Sequence, residues 1–417
     1  MLSVEVSNTH ANRYNANRLL ENVYSYDISS SYPSVLLSEK YPMKFSKKHV
    51  SKLKQALRLG KACLIHIYME DIKLKDDAEP IPYIPKGKCL RSSNVDLDNG
   101  RVLSASMVEM WITEIDLMII QKQYSFKYQI LDLFTATKKK LPKVYTDLLF
   151  EMYRNKTLLK GTDDTYSYGK YKNMVNSVYG LTVQNPCKEN YKYVDGVLKV
   201  NEEEGMETLI SRYQKKGWLP YQWGVWCTAY ARLKLQEGID AIPKENIVYV
   251  DTDSVKFIGD YGHRLEELNK RYLNDELGAE DKNGVVHYIG IYENETPKPY
   301  KYFKTLGAKK YATVDSDDKL HITVSGVMKK QGAEELGSID NFKEGFIFRK
   351  AGGSEAMYND NPDIKEVYIH GKKVEITSNI ALFPSTYTLG ITADYDKLLK
   401  LLMSSNIKYS LHLYDEI

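Results

Sequence analysis

Two acids alternate in the run Tyr249-Val250-Asp251-Thr252-Asp253-Ser254, inside a stretch (246–258, NIVYVDTDSVKFI) that reads as two apolar strands around a tight turn. Positions two apart on a strand face the same side, so Asp251 and Asp253 are expected together at a hairpin tip. Carboxylates that close repel each other unless a cation lies between them. An all-oxygen donor set suits Mg2+, with Mn2+ as an alternative ion. An Asp-rich turn that only satisfies its own backbone would carry the same residues. A third acid, Asp27, ends the strand 22–27 and is followed by Ile28-Ser29-Ser30-Ser31-Tyr32-Pro33. Backbone N–H groups of such a turn can hold phosphate, and the Tyr32 ring just beyond it can press on a sugar. A polar strand cap beside a core tyrosine reads the same way. In Lys172-Asn173-Met174-Val175-Asn176-Ser177-Val178-Tyr179-Gly180, a helix puts Lys172, Asn176, Tyr179 and Gly180 on one face. That face offers an ammonium for a triphosphate and a phenol and bare backbone for a flat base pair. An amphipathic surface helix is the plain alternative.

Taken together and in order, these segments resemble motifs A, B and C of the family B DNA polymerases. Motif A (D-x-x-S-L-Y-P) reads DISSSYP here, motif B (K-x-x-x-N-S-x-Y-G) reads KNMVNSVYG, and motif C (Y-x-D-T-D-S) reads YVDTDS. Ser31 stands where the family usually has Leu. The gaps between A and B and between B and C resemble the protein-primed branch found in phages and linear plasmids. Thr228-Ala229-Tyr230-Ala231-Arg232 is similar to the family's T-x-x-A-R element, and Lys309-Lys310-Tyr311 to its K-x-Y element.

The resemblance implies a template-directed DNA polymerase that adds deoxynucleotides to a primer 3′-hydroxyl in viral or plasmid-type replication. Two metal ions about 3.5–4 Å apart would drive phosphoryl transfer. Asp27 and Asp253, with the backbone of Ile28, would hold them, and Asp251 would be an auxiliary carboxylate. Lys172 would neutralise triphosphate charge, Tyr32 would exclude a 2′-hydroxyl, and Ile28, Asn176 and Tyr179 would line the nucleotide. Ser30, Ser177, Gly180, Thr228, Arg232, Thr252, Lys309 and Tyr311 would contact DNA or the primer end. Partners implied are template and primer DNA, deoxynucleoside triphosphates and a terminal priming protein. Family members normally begin with a 3′–5′ exonuclease domain carrying D-x-E, and none is recognised before Asp27. The expectation is a polymerising part without proofreading, with a polymerase whose exonuclease is supplied by a separate chain as one alternative. A non-catalytic DNA-binding remnant is the rival, and retention of all three acids and Lys172 argues against it.

The elements that must position these residues follow from pattern. A strand is expected at 61–69, loop or hairpin at 75–101, a helix at 107–121 and a strand near 128–133. Helices at 142–160 and 166–180 form a hairpin. A β-hairpin spans 187–200 with its turn at Asp195-Gly196, a helix covers 225–241, strands fill 300–327, and a last helix lies near 394–403. The class is α+β, and the resemblance implies a right hand with an antiparallel palm sheet. Its parts would be palm at 1–45 and 223–325, insertions resembling terminal-protein regions at 46–145 and 183–222, fingers at 146–182, and a thumb with the C-terminal region at 326–417.

Composition is compatible with this reading. A chain of 417 residues exceeds one compact core, so several subdomains are expected. The net charge of +3 neither demands nor excludes nucleic acid, but lysines cluster at 138–140, 215–216, 309–310 and 329–330, as in a cationic groove or an ordinary solvated surface. The four cysteines lie too far apart for a zinc knuckle or redox pair, and the eight histidines form no ligand cluster. No apolar run approaches the roughly eighteen residues of a membrane span, and the N-terminus lacks a secretion signal, so a cytoplasmic protein is expected.

Overall fold

A computed structural model describes residues 9–184, 191–194, 197–200, 207, 211, 219–296, 298–358, 366–369, 372–375 and 380–404. The Asp195-Gly196 turn, Cys187 and the Lys215-Lys216 pair lie outside these. Strands drawn from distant parts of the chain make one eight-stranded antiparallel sheet. Its order is Thr9–Ala11, Ile247–Asp251, Ser254–Ile258, Leu20–Ile28, Tyr300–Gly307, Lys310–Val314 and Leu320–Val324, with Tyr292–Asn294 also paired to Leu20–Ile28. Strand alternation divides its residues into two faces. One face carries Tyr26, Ile28, Val250, Val255 and Phe257 into a core with Leu235 and Ile239 of the long helix Tyr221–Ala241 and Leu265 and Leu268 of the helix Gly262–Asn269. Gly238 permits that approach: a Cβ there would lie 2.1 Å from the Tyr292 hydroxyl, which donates to the Lys234 carbonyl at 2.8 Å. On the opposite face, the register aligns Asp251 with Ser254 and Ser254 with Asp27, then Tyr249 with Lys256 and Lys256 with Ser25. This face is polar and carries the site.

A second sheet of six strands lies between Ser46 and Ala136, with Tyr124–Ala136, Ala62–Leu74 and Arg101–Thr113 adjacent at its centre. Here the structure corrects the helix expected at 107–121. The strand runs to Thr113 and the helix is Glu114–Gln123. Val108, Met110 and Ile112 are buried at period two against the neighbouring strand, whose residues Leu64–Glu70 pair with Thr113–Met107. A capping box marks the switch: Thr113 accepts from the Asp116 N–H and Asp116 from that of Thr113. The strand expected at 61–69 likewise continues to Leu74.

The helices Lys143–Leu159 and Thr165–Thr182 form a hairpin around Gly161, whose φ of 72° favours glycine, and Asp164 caps the second by accepting from the Ser167 N–H. Their inner positions, Leu149, Met152, Tyr153, Val175, Val178 and Tyr179, share a core with the helix Ser31–Ser38 and with Trp226. The short hairpin Tyr191–Val194 and Val197–Val200 and the last helix, Ala393–Ser404, are present as expected. Among the described residues no helix is long and apolar enough to cross a membrane.

Candidate active site

Three turns meet at the polar face of the large sheet, and all three are conformationally unusual. Nine described non-glycine residues have positive φ, and the six that are Asn or Asp adopt it readily. The other three are Ser30 at 49°, Thr252 at 62° and Lys309 at 58°. For a β-branched threonine this costs on the order of 1–3 kcal/mol, which the surrounding structure must offset. Ser30 precedes the helix Ser31–Ser38, Thr252 is the hairpin corner between Asp251 and Asp253, and Lys309 joins two strands of the same sheet.

The corner corrects the sequence reading of the two acids. Asp251 ends its strand and pairs with Ser254, so Thr252 and Asp253 form the turn, and strand alternation does not carry from 251 to 253. The two carboxylates take different partners. Asp251 accepts from the Thr9 hydroxyl at 2.8 Å and the Thr252 hydroxyl at 3.0 Å, and the Lys309 ammonium lies against it. Asp253 meets Asp27 instead, the two buried carboxyl groups within hydrogen-bonding reach of each other. Burial, followed by the neighbouring charges of Asp253 and Glu295, pushes Asp27 well above the ordinary carboxylate range. Asp253 is raised too, by burial first. Two buried carboxylates held this close repel each other, and a cation between them would relieve that repulsion. The Ile28 N–H donates to the Asp253 carbonyl at 2.9 Å and its side chain is in the core, so its backbone carbonyl is what it can offer an ion.

Lysines of the helical hairpin adjoin the turn that follows Asp27. Lys156, on the first helix of the hairpin, donates to Ser30 Oγ at 2.9 Å. Burial lowers its pKa to about 8, and the charges of Lys160 and Lys172 add to this. Lys172 is exposed with its ammonium 5.9 Å from the Tyr168 ring centre, and Asn176 and Gly180 are exposed beside it. Nothing lies within 4 Å of where a Gly180 Cβ would stand, so a flat surface is open there. Ser177 donates to the Asn173 carbonyl at 2.7 Å. Tyr32 and Tyr179 pack face to face, with ring centres 4.5 Å apart at a 31° tilt.

The K-x-Y segment adjoins motif C. The Lys309 N–H donates to the Tyr249 hydroxyl at 2.8 Å, and the Tyr311 ring packs against Tyr249 and Phe303 at 5.0 and 5.4 Å. Thr228 and Arg232 are placed otherwise than expected. Thr228 is 1 % exposed and donates to the Val225 carbonyl at 2.9 Å within its own helix. Arg232, 8 % exposed, pairs with Asp116 at 2.7 Å and donates to the Tyr83 hydroxyl at 2.9 Å. Trp226 adds a bond to Glu114 at 3.0 Å. These groups tie the long helix to the helix Glu114–Gln123 and to Tyr83. Sequence reading missed Lys156, Glu295 and Lys256. Lys156 comes to the Ser30 turn from a helix 126 residues away, Lys256 follows motif C as one charged residue in an apolar strand, and Glu295 stands just past the strand Tyr292–Asn294.

The donor set fits divalent cations. Mg2+ keeps several waters and takes one or two carboxylates plus substrate phosphates. Among the described residues no group of three or more acidic, thiol or imidazole side chains that could hold a metal converges. Cys63, Cys89 and Cys227 are free thiols whose pKa values burial raises, to about 12 and 11 for the first two, so none is poised as a nucleophile.

The family described as DNA polymerase type B, organellar and viral, matches residues 9–216. Solved structures share the fold. Phi29 DNA polymerase with primer-template DNA matches with a TM-score of 0.64 at 19% identity, over 93% of this chain and 61% of that one. The same polymerase with primer-template DNA and incoming nucleotides gives 0.63 at 19% identity and the same coverage, and its orthorhombic crystal form 0.62. The chain therefore spans less than two thirds of the length of these polymerases. No curated protein sequence matches it.

Proposed function

Since the chain belongs, through residues 9–216, to the organellar and viral type B DNA polymerases, we propose that it extends primers on a DNA template with deoxynucleoside triphosphates. The observation that carries this reading is the buried Asp27–Asp253 pair, which lies in the same turn region as Ser30, the residue that Lys156 of the helical hairpin contacts. Acids with ammonium groups nearby suit a metal-bound triphosphate. In hand terms, the large sheet is the palm, the helical hairpin the fingers, and the second sheet an insertion resembling a terminal-protein region. The segment 183–222 is read as a further insertion and 326–417 as thumb and C-terminal region.

Asp27, Asp253 and the Ile28 carbonyl would hold two ions, which supply Lewis-acid activation of the primer hydroxyl and of the leaving pyrophosphate. The residues of the chain do the rest. Lys172 and Lys156 bind the triphosphate and offset its charge. Tyr32, backed by Tyr179, limits space beneath the sugar, and Asn176 and Gly180 border the nascent pair. Lys309 restrains Asp251, and Tyr311 steadies the primer end. Ser30, Ser177 and Thr252 border the path of the DNA. Thr228 and Arg232 act indirectly, by fixing the long helix under the palm. A terminal priming protein and an exonuclease chain are further partners this reading allows.

Primer extension by the purified chain tests the reading: template-dependent incorporation with Mg2+ is expected, and its complete absence with Mg2+ or Mn2+ overturns it. Lys156→Met should raise KM for the incoming nucleotide about tenfold, the loss of one charge-assisted contact of about 1.4 kcal/mol, with kcat changed much less. Steady-state titration of one nucleotide checks this. An unchanged KM would remove Lys156 from the triphosphate site.

A further inference from the structure

Lys256 occupies the centre of the strand Ser254–Ile258, where Val255 and Phe257 point into the core on the other face. It is 2 % exposed. An ammonium that deep is stable only with partners that replace water. Its Nζ donates to Ser25 Oγ at 2.6 Å and to Glu295 at 3.1 Å, and Ser25 Oγ in turn contacts the same Glu295 oxygen. It also lies 5.8 Å from the centre of the Tyr311 ring, within range of a cation–π contact. The Lys256–Ser25 pairing is two residues along the sheet from the Ser254–Asp27 pairing, so Lys256 lies on the same face, beside the carboxylate pair. The electrostatics agree: Glu295 acts on both Asp27 and Asp253, and Lys256 opposes its effect on Asp27. In front of Lys256 opens a groove of about 820 Å3 lined by Tyr300, Tyr311, Lys319, Lys329 and Lys330.

We propose that Lys256 is a positioning residue that links the primer-end element to the metal-binding carboxylates, holding Glu295 away from the ions and Tyr311 against the sheet. This rests on the polymerase reading above. One buried cation thereby serves both halves of the site. By satisfying Glu295 it confines divalent ions to Asp27 and Asp253, and through the Tyr311 ring it sets the height of the primer terminus over them. Glu295 is free to turn toward the ions only when Lys256 is absent.

The test pairs a metal-binding measurement with kinetics. Mn2+ binding is followed by electron paramagnetic resonance on the chain alone, without DNA or nucleotide. Primer KM and kcat are measured separately. Lys256→Met should bind Mn2+ about tenfold more tightly, because Glu295 joins the site, and should raise primer KM about fivefold with a smaller change in kcat. Lys256→Arg keeps the charge and should recover most of the primer affinity. The double variant Lys256→Met with Glu295→Gln removes both members of the buried pair, which folds tolerate better than removal of one. It should bind Mn2+ within twofold of the parent yet retain the raised primer KM. If Lys256→Met fails to fold, the double and Arg variants decide through primer KM. Parent-like Mn2+ binding and primer KM in Lys256→Met, or a parent-like primer KM in the double variant, overturn the proposal. If the parent extends no primer, the polymerase reading falls, while the Mn2+ titration still decides whether Lys256 withholds Glu295.

Discussion

Asp253→Asn is expected to lower primer extension by about 10³-fold or more while making the metal-free chain more stable. The first effect follows from removing one of two carboxylates proposed to bridge the ions at the reacting phosphate. The second follows from the repulsion already present. Asp27 and Asp253 are both raised from their ordinary range, by burial first and by neighbouring acids next. A carboxyl raised in the folded state binds protons more tightly there than in the unfolded chain. It therefore costs stability as pH rises from the ordinary carboxyl range through the raised one, and costs nothing below it. With Asn at 253 that cost largely disappears. Thermal melting in chelator should show a higher Tm for the variant at pH 8, by about 2 °C for each kcal/mol relieved, and no difference near pH 4. Added Mg2+ should reverse the order, because the parent gains binding energy that the variant lacks. Full extension activity in the variant would remove Asp253 from the reaction. A lower Tm in chelator would show that the pair is not repulsive.

Tyr32→Val is expected to cut discrimination against ribonucleotides by on the order of 10²-fold. Tyr32 packs on Tyr179 with ring centres 4.5 Å apart, and Tyr179 is itself anchored in the core under the helical hairpin. That backing leaves the ring little freedom to yield to a 2′-hydroxyl. Tyr32→Phe keeps the ring and should keep the selectivity. The ratio of kcat/KM for a deoxynucleotide and its ribonucleotide counterpart reads the effect directly. If Val preserves the ratio, the sugar is excluded elsewhere.

The resemblance of three segments, in order, to the family motifs is what drew the candidate site residues out of the sequence; each segment alone also suited an ordinary turn, cap or surface helix. Asp27, Tyr32, Lys172, Asp251 and Asp253 lie in short segments whose spacing survives folding, and the helices and the motif C hairpin follow their periodicity. Two errors share a cause. At 107–113 apolar residues with mixed spacing suited a helix, but pairing with Leu64–Glu70 selected the strand. At 251–253 alternation was extended across a corner that Thr252 turns with a positive φ. Arg232 is expected at the primer from the T-x-x-A-R resemblance, and nothing near it in sequence announces its pairing with Asp116, 116 residues away. Lys256 and Glu295 were illegible for the same reason: one is a lone charged residue in a strand and the other a lone acid just past a strand end, and the contact between them joins segments 39 residues apart.

The strand order of the large sheet has a consequence for biosynthesis. The six-stranded sheet draws on one continuous run from Ser46 to Ala136, so it can close while later residues are still unmade. The catalytic face cannot. Asp27 waits for the strand bearing Ser254, and Asp251 waits for Lys309, although Thr9, its partner from the far edge of the sheet, has been available since the start. Pairings this distant close slowly, because the chain entropy lost in bringing the ends together is recovered only after contact. During that interval Leu20–Ile28 is an unpaired strand with exposed amides, the kind of edge that a chaperone or another nascent chain can capture.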